Sequence, residues 1–189
     1  MSDLLAKTTE HGGATFTVAN RLKRVVWGFA YTVLFRPSPR PAHRWRASLL
    51  RLFGATIGQG VHVYPKVKIW APWNLMIGDD VGVGDDATLY SMATITIGAR
   101  ATVSQGAYLC CGTHDYNDPT MQLIAKPIAV GAEAWVCAEA FVCPGVTIGE
   151  GGVVGARAVV TKNIPDWTVW AGNPCVQRGT RKRHNLPEA

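Results

Sequence analysis

Aliphatic residues recur at intervals of six along residues 55–165. They fall into five groups of three: Ile57, Val63, Ile69; Ile77, Val83, Leu89; Ile97, Val103, Leu109; Val130, Val136, Val142; and Ile148, Val154, Val160. All 15 positions hold Ile, Val or Leu, and the residue two before each is apolar at 14 of the 15, often small as at Ala87, Ala101 and Ala140. Residues i and i−2 share one face of a strand. Each hexad therefore predicts a short strand with two inward side chains. Three strands and three corners make a triangular coil of 18 residues, the step from Val130 to Ile148. The steps from Ile57 to Ile77 and from Ile77 to Ile97 are 20, which places two extra residues in one corner. This is the period of a hexapeptide parallel β-helix. Five coils are expected, stacked ~4.8 Å apart. The glycines that follow many aliphatic positions, such as Gly78 and Gly98, are expected to supply backbone angles that other residues avoid.

The count breaks once. From Leu109 to Val130 the chain takes 21 residues, and the surplus includes Gly112–Pro127, GTHDYNDPTMQLIAKP. Long loops on rigid scaffolds commonly carry function. Asn117-Asp118-Pro119 favours a turn. Met121, Leu123 and Ile124 need a surface to bury against, which a neighbouring subunit would supply. The predicted organisation is a basic, partly helical N-terminal segment over 1–54, a β-helix over 55–165 with residues 112–127 extruded, and a tail over 166–189.

Charge changes the picture at the N-terminus. The formal net charge is +6, and no acidic residue lies between Glu10 and Asp79, a span that holds ten Lys and Arg residues. Within it, Val25–Phe35 is an apolar run of 11 residues. That is too short to cross a bilayer, which takes ~20. It reads as a short helix packed on the domain, or as a peripheral contact of residues 1–54 with a membrane surface. The basic RKRH at Arg181–His184 has no interleaved aromatics, so no nucleic-acid partner is expected. The five cysteines are odd in number, form no CxxC pair and follow no signal peptide. They are expected as reduced thiols in a cytoplasmic protein.

His114 and Asp115 stand at the break. A lone imidazole beside a carboxylate suits general base chemistry, and its ordinary pKa near ~6.5 allows it to take a proton at neutral pH. His62 is the only other histidine in or beside the repeats, too few for a three-His zinc site, so no metal is expected. Cys110 and Cys111 are the rival nucleophiles, without any sign of thiolate character.

Residues Ile57–Arg178 resemble the hexapeptide-repeat acyltransferases with a left-handed β-helix. CGTHDYNDP (Cys111–Pro119), KPIAVGAEAWV (Lys126–Val136), PGVTIGEGGVVGARAVVTKNIP (Pro144–Pro165) and AGNP (Ala171–Pro174) resemble the galactoside/maltose O-acetyltransferase branch. RLKRVVWGF, LFRPSPRPAHRWR and KIWAPWNLMIGD extend the resemblance, from Asn20, to colanic acid biosynthesis acetyltransferases of the WcaF type. The resemblance implies a mainly β, left-handed parallel β-helix, a homotrimer with acetyl-CoA sites between subunits, and O-acetyl transfer to a sugar or lipid-linked saccharide in exopolysaccharide synthesis. It places His114 at the catalytic histidine. Trp135, Ala138, Ala156, Thr161 and Lys162 fall where the family lines the CoA groove. Arg178, Arg181 and Arg183 are candidates for the nucleotide phosphates, Arg178 foremost. Tyr90 and Ser91 face the break as candidate sugar contacts. The orienting partner of His114 is either Asp115 or a backbone carbonyl. A second function class is a non-catalytic β-helix module that binds a glycolipid assembly complex at the membrane.

Overall fold

A computed structural model describes residues 15–183. His11, His184 and the outer ends of the N-terminal segment and tail lie outside the described residues. Three parallel sheets form the sides of a prism. The first joins Thr56–Ile57, Leu75–Ile77, Ile95–Ile97, Ile128–Val130 and Thr147–Ile148. Its register places Ile57, Ile77, Ile97, Val130 and Ile148 opposite one another. Val63 to Val154 do the same in the second sheet and Ile69 to Val160 in the third. These ladders, with the small residues two before them, are the buried core. The hexad period thus predicts the sheets, their parallel sense and their register.

The repeat runs farther than the sequence pattern. Thr168–Ala171 adds a sixth coil's strand to the second sheet beside Val153–Val154, and Val176–Thr180 returns antiparallel to it. The segment expected as a tail from residue 166 therefore begins inside the sheet.

The corner glycines have a different cause from the one expected. The left-handed backbone angles fall two residues later, at Asp80, Arg100 and Glu133, and also at Gly60 and Gly151. At Gly78 and Gly98 the constraint is space. A Cβ on Gly98 would come within 2.5 Å of the Ala132 backbone N in the next coil, and one on Gly78 within 2.7 Å of Ala99 N. Coils ~4.8 Å apart leave no room for a side chain aimed along the stack.

Each coil donates its N–H groups to carbonyls of the next coil, as from Gly58 N–H to Ile77 O and from His62 N–H to Val81 O. The carbonyls of the first coil are therefore left at the open end of the prism. Two helices close it: α1 (Val18–Ala30), which continues through a π-turn at Tyr31–Phe35, and α2 (His43–Leu52). Trp27 donates its indole N–H to Ile69 O at 2.8 Å. Arg46 Nε donates to Val63 O at 2.7 Å. Arg51 donates to Ile57 O at 3.0 Å and Gly58 O at 2.7 Å. One carbonyl on each of the three sheets is satisfied by a helix side chain, which blocks strand addition at that edge. The apolar run Val25–Phe35 is only partly packed. Trp27, Ala30 and Phe35 are buried, whereas Val25, Val26, Phe29, Val33 and Leu34 are exposed.

Candidate functional site

The extruded segment is a β-hairpin. Gly112–His114 pairs antiparallel with Leu123–Ala125, and His114 lies opposite Leu123. Its base is tight, because a Cβ on Gly112 would run into the Met92 sulfur and stand 3.1 Å from Tyr90 Cε1. The tip is a chain of side-chain-capped turns. Asp115 Oδ1 accepts the Asn117 N–H at 2.9 Å, and Asp118 Oδ1 accepts the Thr120 N–H at 2.7 Å and its hydroxyl at 2.6 Å. Met121 follows in the left-handed region with φ of 52°. That conformation is unusual for a residue with a side chain. It turns the Met121 carbonyl onto His114 Nδ1, 2.7 Å away.

Nδ1 can meet a carbonyl only by donating its proton, which leaves Nε2 of neutral His114 as an acceptor. Of the two orienting partners left open by the sequence, the backbone carbonyl is the one in place. Asp115, expected among the catalytic residues, has Oδ1 on the Asn117 N–H of the turn. The Met121 contact escapes a sequence reading because the group it contributes is a main-chain oxygen. The Asn-Asp-Pro turn was its only trace in the sequence.

Ser91, expected to contact sugar, is wholly buried. Its hydroxyl accepts from Ala71 N–H at 3.0 Å and donates to Ala71 O at 2.9 Å, tying two coils together. Tyr90 is half-buried at the hairpin base, in a ring series with Trp70 and Tyr108 at centroid distances of 6.1 Å each. Leu123 packs against the protein's own core, while Met121 is exposed.

Most of the candidate groove residues lie elsewhere on the prism. Ala138 and Ala156 stand at the same slot of successive coils, at the corner between the second and third sheets, where Arg157 N–H donates to Ala138 O at 2.9 Å. Trp135 is on the outer face of the second sheet and donates its indole N–H to Ser104 Oγ at 2.9 Å. Thr161 and Lys162 are exposed at the hairpin's own corner, farther along the stack. Arg178 is exposed on the last strand, whereas Arg181 Nη1 donates to Glu133 O at 2.6 Å and Arg183 lies 5.0 Å over Trp167. The hairpin corner and the Ala138–Ala156 corner are separated by the width of a strand face, about 16 Å for five residues.

All five cysteines are free, and burial pushes every thiol above its usual range. Cys111 rises to about 12. Cys110 donates its thiol to Gly112 O at 3.2 Å, a brace at the hairpin base. Among the described residues, no group of three His, Cys, Asp or Glu is placed to hold a metal ion.

A search of family models gives no match. Among curated proteins, the chain is 46% identical over 176 residues to WcaF of Escherichia coli K12, assigned as a colanic acid biosynthesis acetyltransferase; the match covers 93% of this chain and 95% of that one. It is 32% identical over 133 residues to the galactoside O-acetyltransferase of Escherichia coli K12, covering 69% and 66%. Among solved structures, a galactoside acetyltransferase in complex with coenzyme A superposes with a TM-score of 0.80 at 28% identity, covering 88% and 84%. A hexapeptide-repeat acetyltransferase of Vibrio cholerae, complexed with acetyl-coenzyme A, gives a TM-score of 0.81 at 23% identity, covering 92% and 96%; that likeness is one of fold.

Proposed function

We propose that this chain, which belongs to the hexapeptide-repeat acetyltransferases of the WcaF type, moves acetyl from acetyl-CoA directly to a sugar hydroxyl with His114 as the general base. Membership of that family makes the chain an acetyltransferase and sets aside a purely scaffolding β-helix. The CoA bound to a galactoside acetyltransferase of the same fold supports acetyl-CoA as the donor. The observation that carries the mechanism is the 2.7 Å contact of His114 Nδ1 with Met121 O, which leaves Nε2 as the basic nitrogen.

In the proposed reaction the acceptor hydroxyl attacks the thioester carbonyl carbon while Nε2 takes its proton. A tetrahedral oxyanion forms and collapses. The carbon–sulfur bond breaks, and the imidazolium returns its proton to the CoA thiolate. The products are an acetyl ester and CoA with its thiol restored. A backbone N–H of a neighbouring coil would hold the oxyanion. Arg178 and Lys162 would meet CoA phosphates. Trp135, Ala138, Ala156 and Thr161 would line its groove, and Tyr90 at the hairpin base would contact the sugar.

The histidine and most of these groove residues occupy different edges of one prism. A homotrimer that sets the hairpin edge of one copy against the Ala138–Ala156 edge of the next would assemble the site and would cover exposed Met121. The acceptor would be a sugar or lipid-linked saccharide of a cell-surface polysaccharide, modified in the cytoplasm where acetyl-CoA is made. CoA release in the presence of polysaccharide fragments, followed with a thiol reagent, tests the reading. Acetylated fragment must accumulate in step with CoA; CoA release without acetylated product, or none with wild-type trimer, would refute it.

A further inference from the structure

The outer face of the helical cap is apolar. On α1, Val18, Leu22, Val25 and Phe29 recur at helical spacing on the side opposite buried Asn20 and Trp27, and each is 64–78% exposed. On α2, Trp45 and Leu52 are also exposed, at 49% and 79%, opposite buried Arg46 and Leu50. The two helices are linked here: Trp45 donates its indole N–H to Leu34 O at 3.0 Å, and Leu22, Val26 and Leu52 line one apolar cleft of about 590 Å³. The inward faces of both helices cap the first coil. Their outward faces therefore form the end of the prism.

Exposed apolar surface of this extent marks an interaction site. The surrounding charge identifies the partner. Arg21, Arg36 and Arg44 are exposed at the edges of the two helices, and no acidic side chain occurs from residue 11 to 78. A second copy of this face would bring like charges together. An anionic lipid surface supplies both an apolar layer and opposite charge. The exposed apolar stripe of α1 with flanking arginines fits a helix lying in the interface, and among the described residues no helix is long and apolar enough to cross a membrane.

We propose that this end of the prism docks on an anionic phospholipid bilayer, with the Val18–Leu22–Val25–Phe29 stripe in the acyl boundary and the arginines among the headgroups. This orientation holds the β-helix upright on the membrane surface, leaving the hairpin with His114 accessible to lipid-linked acceptors.

Co-sedimentation of the full chain with phosphatidylcholine vesicles, with and without phosphatidylglycerol, tests this. The chain is expected to pellet with phosphatidylglycerol vesicles and to be released by salt. The double variant Leu22→Glu/Phe29→Glu should bind at least about tenfold more weakly, and Arg21→Glu/Arg44→Glu should lose roughly fivefold or more per charge. Both pairs are solvent-exposed, so circular dichroism and thermal midpoint should stay at wild-type values. The proposal fails if wild-type chain stays in the supernatant at low salt, if it binds neutral vesicles equally well, or if Leu22→Glu/Phe29→Glu pellets like wild type. It also fails if that variant sediments as a smaller oligomer, since the face would then be a contact between copies.

Discussion

His114 Nδ1 lies 2.7 Å from the carbonyl oxygen of Met121, seven residues on and across a hairpin turn. The contact fixes the tautomer and leaves Nε2 as the acceptor nitrogen, the atom the proposed mechanism uses as its base. Removing the imidazole should lower kcat by about 10²–10⁴-fold, the usual worth of a general base. His114→Ala should leave the KM for acetyl-CoA and the sedimentation behaviour nearly unchanged, as read by steady-state kinetics and analytical ultracentrifugation. Wild-type turnover in that variant would remove His114 from the mechanism.

The same contact depends on backbone strain at Met121, whose φ is 52°. A β-branched residue is strongly disfavoured there. Met121→Ile should swing the carbonyl off His114. The expected result is a fall in kcat with little change in acetyl-CoA affinity. Met121→Gly, which accepts that φ, should keep most of the activity. A side-chain role for Met121 would instead make Gly as damaging as Ile.

Hexad spacing carried five of the coils, their sheet register and the location of the break because a β-helix core is one-dimensional: each inward side chain meets the same slot of the next coil. Two kinds of information were hidden. The first is main-chain chemistry, such as the Met121 carbonyl that displaces Asp115 as the orienting group. The second is the direction of side chains at corners, where the period lapses. Ser91 sits at a corner facing the break, yet its hydroxyl turns inward to Ala71. The sixth coil was hidden because all four residues of Thr168–Ala171 are half-buried, so the strand lacks the buried inward face that marks the hexads.

A covalent acyl-cysteine route predicts loss of activity when Cys110 or Cys111 is replaced. The geometry argues otherwise. Burial holds both thiols protonated, Cys111 at about 12, and Cys110 points its thiol into the Gly112 carbonyl. Cys110→Ala and Cys111→Ala should each retain kcat within about twofold, and iodoacetamide should inactivate the wild type slowly at neutral pH. Rapid inactivation protected by acetyl-CoA would revive the covalent route.

Arg46 is fully buried, and among the described residues no carboxylate is in salt-bridge range of it. Its guanidinium instead joins Val63 O, Ser38 Oγ, Pro39 O and Arg40 O at 2.6–2.8 Å, binding the linker between the helices to the first coil. Truncation strands several buried acceptors at once. Arg46→Ala should destabilise the fold by about 3 kcal/mol or more, measured by urea unfolding. Arg46→Lys should recover only part of this, because one ammonium cannot span those four acceptors.

His43 gives the cap a pH dependence. Its Nδ1 is 3.1 Å from Val63 O and 3.1 Å from Arg46 Nη2, and its ring stacks on His62 at 4.5 Å. Desolvation lowers its pKa below the ordinary 6.5; the Val63 carbonyl opposes the shift, while Arg46, His62 and Arg40 deepen it. Nδ1 can accept from Arg46 or donate to Val63 O but not both at once, and protonation would set a cation against that guanidinium. As pH falls below the ordinary histidine pKa, the unfolded chain takes up this proton first, so stability declines until the folded pKa is reached and then levels off. Between about pH 7 and about pH 5.5, the window of ordinary histidine titration, unfolding free energy should fall more steeply for wild type than for His43→Gln. Equal slopes would show that His43 titrates alike in both states.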